Sequence, residues 1–437
     1  MGKQVRVSGC KAVAEAVKAA NVDVIASYPI RPYTGTMVEL ARMVAEGELD
    51  AEFVHAEGEH AQLSVVLGAS AAGARVFTGS AGVGVTYAFE VYSPTSGEFH
   101  PVQCMIANRT LDPPGDFGSE HTEAMATRDQ GWIMGWAASP QEAYDNTLIY
   151  YRLGEDPRVM LPQFPCQDGY FVSHISGPVE LADPGQVKEF LPEFRPARAL
   201  DPRRPVIMGP QCHADQGAAI ELGRAEAMRN AREIIPQVYD EFARIFGRRY
   251  DPFLEEYKTD DAEVVFFGQG AHTVPARLAA DRLRAQGLKV GVVQLRFMRP
   301  FPTDAVAERL ARFKVVGIIE NSNSFGSAFD AGPLTAEVHA SLYYAENRPQ
   351  ILTFLAGLGG ENIRLGAYGE MARAMHAAAQ AGRVGDGAGH VGEGAGRVGG
   401  GKHVFWLGFE PLGDAGVEHV AASEDGDGGS DGEGGGW

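Results

Sequence analysis

The chain has 437 residues, 45% hydrophobic and 9% aromatic, which allows two or three domains with sizeable cores. A net charge of -19 excludes the broad basic face that nucleic acid or an anionic membrane would require. Cys10, Cys104, Cys166 and Cys212 are widely spaced and form no CxxC pair, which excludes a zinc or iron–sulfur site built on a local cysteine motif.

The cysteines read as free thiols of a reducing compartment. The first residues, Met1-Gly2-Lys3-Gln4-Val5, carry no apolar signal run, and no apolar stretch of about 18 residues occurs. A cytoplasmic protein is expected.

Residues 1–180 alternate strand and helix signals. Val22–Ala26 reads as a strand and Thr36–Glu46 as an amphipathic helix. Ala51–His55 is a strand, His60–Gly73 a helix, and Arg75–Thr78 a strand that runs into a Gly-rich turn and a helix near Tyr87–Tyr92. Val102–Ala107 is a strand, Gln141–Tyr151 a helix and Arg158–Pro162 a strand. Such alternation implies a parallel sheet covered on both faces.

Prolines cluster in Pro192–Pro210, as in a linker or an excursion over the surface, and Ala218–Arg249 is a long helix. A second α/β unit follows over about residues 255–380. Its strands are Glu263–Phe267, Lys289–Val293, Val315–Glu320 and Gln350–Phe354; its helices are Val274–Gln286, Asp304–Ala311 and Ala336–Ala345. From 381 to 437 the chain is rich in Gly and acid and is expected to be a disordered tail, with Val404-Phe405-Trp406-Leu407 able to dock on the body.

Three strand ends carry residues suited to chemistry. Tyr28-Pro29-Ile30-Arg31-Pro32-Tyr33 empties a strand into a Pro-locked turn and leaves Arg31 where open α/β sheets bind ligands. An arginine there suits a carboxylate or phosphate, or simply a surface turn. His55-Ala56-Glu57-Gly58-Glu59-His60 has two Glu and two His, but no zinc spacing. One buried glutamate with a task, or a carboxylate on a helix N-terminus, accounts for it better. Asn108-Arg109 opens a Pro/Gly/Asp loop through Gly118, either functional or a plain turn. Gly79-Ser80-Ala81-Gly82-Val83-Gly84 fits neither a P-loop nor GxGxxG, and reads as small residues for close packing.

Together these segments resemble the alpha subunits of the thiamine-diphosphate-dependent 2-oxoacid:ferredoxin oxidoreductases, the pyruvate:ferredoxin oxidoreductase superfamily. The resemblance covers about residues 5–375. It runs through Tyr28-Pro29-Ile30, Glu57-Gly58-Glu59-His60, Asn108-Arg109, Arg128-Asp129-Gln130-Gly131-Trp132, Asp168-Gly169-Tyr170-Phe171, Arg299-Pro300-Phe301-Pro302 and Gly357-Leu358-Gly359-Gly360. It implies a pyrimidine-binding thiamine diphosphate domain over 1–250 and a smaller transketolase C-terminal-like α/β domain over 255–380, ahead of the tail.

The resemblance also implies a division of labour in an enzyme of anaerobic metabolism. A beta subunit would hold the diphosphate and its Mg2+. Gamma and delta subunits, or their fusion, would carry 4Fe–4S clusters and pass electrons to ferredoxin. No metal is expected on this chain. Gly385-Asp386-Gly387 has no Asn after it and is an accident of composition. Glu59 matches the glutamate that bonds the pyrimidine N1′, with Pro29 and Ile30 beside the cofactor. Arg109 matches the arginine that receives the substrate carboxylate.

One departure bears on the substrate. Pyruvate-type members carry Thr where this chain has Arg31, and a second arginine beside a methyl group is unfavourable in a desolvated site. A substrate with two carboxylates resolves this, oxalate being the smallest, and the chain looks most like the oxalate-oxidising members. Asp112, Asp116 and Phe117 remake the pocket floor, with Asp112 placed to assist carboxylate loss and the loop Asp112–Gly118 to gate the site. Oxidation of oxalate to two CO2 is the expectation. The alternatives are a CoA-acylating oxidoreductase for pyruvate or another small 2-oxoacid, and a non-catalytic scaffold. Arg31 would be structural if it paired with Asp112.

Overall fold

A computed structural model describes residues 2–112, 117–381 and 403–407. Asp116 and most of 381–437 lie outside the described residues. The strands, in chain order, are β1 Lys3–Val7, β2 Val24–Ser27, β3 Glu52–His55, β4 Val76–Ser80, β5 Gln103–Asn108, β6 Ile133–Ala137, β7 Gln163–Asp168, β8 Gly177–Leu181, β9 Leu254–Tyr257, β10 Val264–Gln269, β11 Val290–Leu295, β12 Phe297–Arg299, β13 Val315–Glu320, β14 Gln350–Leu355 and β15 Val404–Trp406.

The first sheet has seven strands in the order β12-β6-β7-β5-β4-β2-β3. Strands β2 to β7 pair in parallel, and β12 closes the edge antiparallel to β6. Strands β4, β5, β6 and β7 are buried along their whole length, because helices cover both faces. The second sheet runs β15-β14-β13-β10-β11-β9, parallel except for β9. Its central four strands are those expected from sequence. β1 and β8 form a separate antiparallel pair.

The strand expected at Arg158–Pro162 is not formed. Asp156 Oδ1 accepts the Arg158 N–H at 2.9 Å, and Met160 takes φ of 46°. This turn delays the strand to Gln163. The expected β2 and β4 are displaced by one to two residues, and Val315–Glu320 begins and ends as expected. The prolines after Leu191 carry the chain irregularly over the surface until the helix Ala214–Phe246 begins. That helix packs Ile235, Val238, Phe242 and Phe246 into the main core with Phe190. Among the described residues no helix is long and apolar enough to cross a membrane.

Strand order positions the site. β2 leads to β3 on one side, whereas β4 crosses back to lie on the other. The switch point therefore falls between β2 and β4, where ligands of open α/β sheets bind. These two strands pair only through Val24–Val76 and Ile25–Phe77, then separate. Gln62, on the helix Glu59–Ala71, bridges the gap: its Oε1 accepts the Tyr28 N–H at 2.6 Å and its Nε2 donates to the Gly79 carbonyl at 2.8 Å. A side chain thus satisfies backbone groups that the ladder has abandoned.

Candidate active site

At the carboxyl edge of the first sheet, Glu59 begins the helix after β3 and is 5% exposed. Its position follows from Gly58, whose extended backbone (φ 177°) delivers the chain into the helix. Burial raises the Glu59 carboxyl pKa, opposed by its own backbone N–H and by the charge of Arg109. The other members of the acid–His cluster do not converge on it. His55 and Glu57 are exposed, and His60 faces Glu90 at 3.2 Å on the surface.

The glycines after β4 make room for the two charged groups. A Cβ on Gly84 would collide with Glu59 Oε1 and crowd Ser80 Oγ, and one on Gly82 would collide with Arg109 Nε. Gly82 also has φ of 50°, a conformation that favours glycine. Close packing was legible in this Gly-rich turn, but what it packs against is the site itself. Ser80 Oγ and Arg109 Nε are buried without a hydrogen-bond partner. A cradle with a buried carboxyl and two orphaned polar groups fits a polar heterocycle such as an aminopyrimidine.

Arg109 follows β5 and is 5% exposed. Buried Glu123 fixes its backbone: Oε1 accepts the Arg109 N–H at 2.7 Å and the Asn108 Nδ2 at 3.2 Å. Arg109 Nη2 donates to Asp112 Oδ2 at 3.2 Å, and the guanidinium lies 5.1 Å from the exposed Phe117 ring. Asp112 holds φ of 53° to make this contact.

Arg31 follows β2 and is exposed, next to the exposed Pro29 and the half-buried Ile30. It makes no hydrogen bond or ion pair among the described residues. Asp112 pairs with Arg109, so the Arg31–Asp112 ion pair does not form. The turn is nonetheless held over the β5 end. Pro32 packs against the place a Cβ on Gly169 would occupy, its carbonyl accepts from Cys10 Sγ at 3.5 Å, and the Arg31–Pro32 bond is cis. Tyr33 OH meets Ser27 Oγ at 2.6 Å, against Gly79.

The second unit buttresses these loops. Glu120 accepts the Gly359 N–H at 2.6 Å, His121 N–H donates to the Asn321 carbonyl at 2.9 Å, and Gly118 abuts the Gly360 backbone. Beneath them His121, Asp168 and His272 form a buried cluster. Burial alone would raise the Asp168 carboxyl, but His121 and His272 pull it well below the usual carboxylate range. Gln62, Ser80, Glu123 and this cluster were missed from sequence. Only the three closely spaced glycines offered a local signal.

Residues 15–240 match the family described as pyruvate flavodoxin/ferredoxin oxidoreductase, thiamine diphosphate binding. Residues 262–368 match pyruvate:ferredoxin oxidoreductase core domain II. The chain is 37% identical over 375 residues to pyruvate synthase subunit PorA of Pyrococcus horikoshii, spanning 86% of this chain and 94% of that one. The same subunit of Methanocaldococcus jannaschii is 36% identical over 365 residues, spanning 82% and 91%. The alpha subunit of the NADH-dependent phenylglyoxylate dehydrogenase of Aromatoleum evansii is 34% identical over 371 residues, spanning 83% and 88%. In fold, the chain is similar to a solved 2-oxoglutarate:ferredoxin oxidoreductase of Magnetococcus marinus, with a TM-score of 0.63 and 18% identity. That likeness covers 82% of this chain and 63% of the other, less than two thirds of it. The chain belongs to the thiamine-diphosphate-dependent 2-oxoacid:ferredoxin oxidoreductases, as an alpha-type subunit whose first domain is the thiamine-diphosphate-binding one.

Proposed function

We propose that Glu59 holds the aminopyrimidine of thiamine diphosphate in an oxidoreductase that oxidises a small 2-oxoacid. The observation that carries this reading is the buried Glu59 in its glycine cradle, with Arg109 close enough to bias its charge. When bound, thiamine diphosphate supplies the electron sink on which the acid loses CO2. With the cofactor bound, the raised pKa of Glu59 would let its carboxyl share a proton with the pyrimidine ring. Arg109 receives the substrate carboxylate by exchanging it for Asp112. Pro29 and Ile30 would wall the cofactor, and Phe117 covers the arginine.

A beta subunit supplies the diphosphate and Mg2+ site. Gamma and delta subunits, or their fusion, carry 4Fe–4S clusters that pass electrons to ferredoxin. Exposed Val83, Tyr87 and Phe89 lie in and beside the helix that follows the cradle, and they suit a partner surface. The free cysteines suit a reducing compartment, and we place the complex in the cytoplasm. The domain limits we adopt remain 1–250 and 255–380, with β12 reaching across to the first sheet.

Within this class the relatives support pyruvate. Oxalate is a second reading, favoured by Arg31, a cation at the switch point with no partner among the described residues. On that reading Arg31 and Arg109 neutralise the two carboxylates, and Asp112, displaced from Arg109, assists loss of the first as CO2. The assembled complex should be assayed for viologen reduction with oxalate, with pyruvate plus coenzyme A, and with phenylglyoxylate. Turnover with pyruvate alone ends the oxalate reading, and turnover with none of the acids ends the 2-oxoacid one. If oxalate is the substrate, Arg31→Thr lowers kcat/KM for it about 10- to 100-fold, the loss of one charge-assisted contact, and leaves cofactor affinity unchanged. Equal loss of cofactor affinity makes Arg31 structural.

A further inference from the structure

We propose that His121, Asp168 and His272 form a divalent metal site, best suited to Zn2+, that ties the first sheet to the second. Asp168 is the last residue of β7, His121 precedes a short helix packed beneath β5, and His272 ends the turn after β10. The three residues are at most 6% exposed, and their ligand atoms lie within 4.8 Å of one another. Asp168 Oδ1 is 2.8 Å from His121 Nε2 and 3.5 Å from His272 Nε2. An ion about 2.0–2.1 Å from each ligand sets ligand pairs roughly 3–3.5 Å apart, so these spacings need little adjustment.

A simple ion pair accounts for His121 but not for His272, whose buried Nε2 has no hydrogen-bond partner. The backing of His121 and Asp168 suits coordination. His121 Nδ1 faces the Gln269 amide at 3.4 Å, and Gln269 Oε1 is itself buried without a partner. Turning that amide over lets Oε1 accept from Nδ1–H and leaves the Nε2 lone pair for a metal. Asp168 Oδ2 accepts the Ala271 N–H at 2.6 Å, which leaves Oδ1 as the coordinating oxygen. Metal-bound histidines and carboxylates characteristically receive this outer support. Ser119 Oγ, 3.0 Å from Asp168 Oδ1, or a water completes the shell.

The full-length chain, treated with chelator and desalted, should be titrated with Zn2+ against a chromophoric zinc indicator. Its melting should then be followed with and without Zn2+. A single tight equivalent and a higher melting temperature are expected. His272→Gln should weaken binding at least tenfold and abolish the thermal shift. His121→Asn should do the same, and serves if the first variant does not fold. Either folded variant retaining wild-type affinity overturns the proposal, as does the absence of a tight equivalent. Zinc-edge X-ray absorption of the wild type needs no variant. Two imidazoles and an oxygen support the site, and sulfur coordination or fewer than two imidazoles overturns it.

Discussion

Arg109 is held in one pose by three different forces. Its backbone is fixed by Glu123, its guanidinium is paired with Asp112, and Phe117 lies over its face. The Asp112 carboxylate is half-buried and, in the function proposed above, stands where a substrate carboxylate would bind. Substrate must therefore displace an ion pair worth up to about 1 kcal/mol at such exposure. Asp112→Ala should lower KM up to about fivefold, read from steady-state kinetics of the assembled complex. An unchanged KM means that the pair does not compete with substrate. A fall in kcat in the same variant would assign Asp112 to carboxylate loss.

At the level of elements, β7 and β13 each end on a buried carboxyl group, Asp168 and Glu320. Glu320 ends β13 and anchors the start of the helix Pro333–Leu342: Oε2 accepts the Thr335 N–H at 2.9 Å and Oγ1 at 3.0 Å. Burial pushes its pKa up to about 7, against the hydrogen bonds from Thr335 and Ser322. A raised folded pKa favours the protonated folded state. That contribution is complete below the ordinary carboxylate pKa and is lost as pH rises through about 7. Glu320→Gln keeps an acceptor and cannot ionise, so its melting temperature should fall less than that of the wild type between pH 5 and 8. Parallel pH profiles for the two proteins would show that the folded-state pKa of Glu320 is not raised.

Across the whole molecule, buried ion pairs join distant segments. Asp145 is fully buried on the helix Pro140–Gly154 and pairs with Arg248 at 2.6 Å and Tyr250 OH at 2.7 Å, just past the long helix. Asp145→Ala leaves Arg248 without its counter-ion, an uncompensated charge that costs about 3–5 kcal/mol when buried. Arg248 retains some exposure, so the lower end applies, and the urea midpoint should fall clearly. An unchanged midpoint would show that water replaces the lost partner. Residues of the resemblance also meet their partners across the boundary between the two units. Arg299 pairs with Asp129 at 3.0 Å, and Gly359 with Glu120 at 2.6 Å.

Hydrophobic periodicity made the alternation of strand and helix legible, together with the four parallel strands of the second unit, because burial on both faces writes itself as local apolar runs. Glu59, Arg109 and Arg31 stood out in the sequence because each lies within a few residues of a strand end. Val404–Trp406 was legible as a docking segment, and it pairs with β14. What depended on contacts distant in sequence was not legible. β12 leaves the second unit to edge the first sheet, and Gln62 bridges a gap that exists only because β2 and β4 diverge. Asp112 chose Arg109 over Arg31, and His121, Asp168 and His272 met from segments 47 and 151 residues apart. The sequence by itself determined most of the parallel strands of both sheets and the charged residues that follow β2, β3 and β5, since these follow from local periodicity. Only the tertiary structure decided which of those charges face one another, because a carboxylate pairs with whatever cation the strand order places beside it.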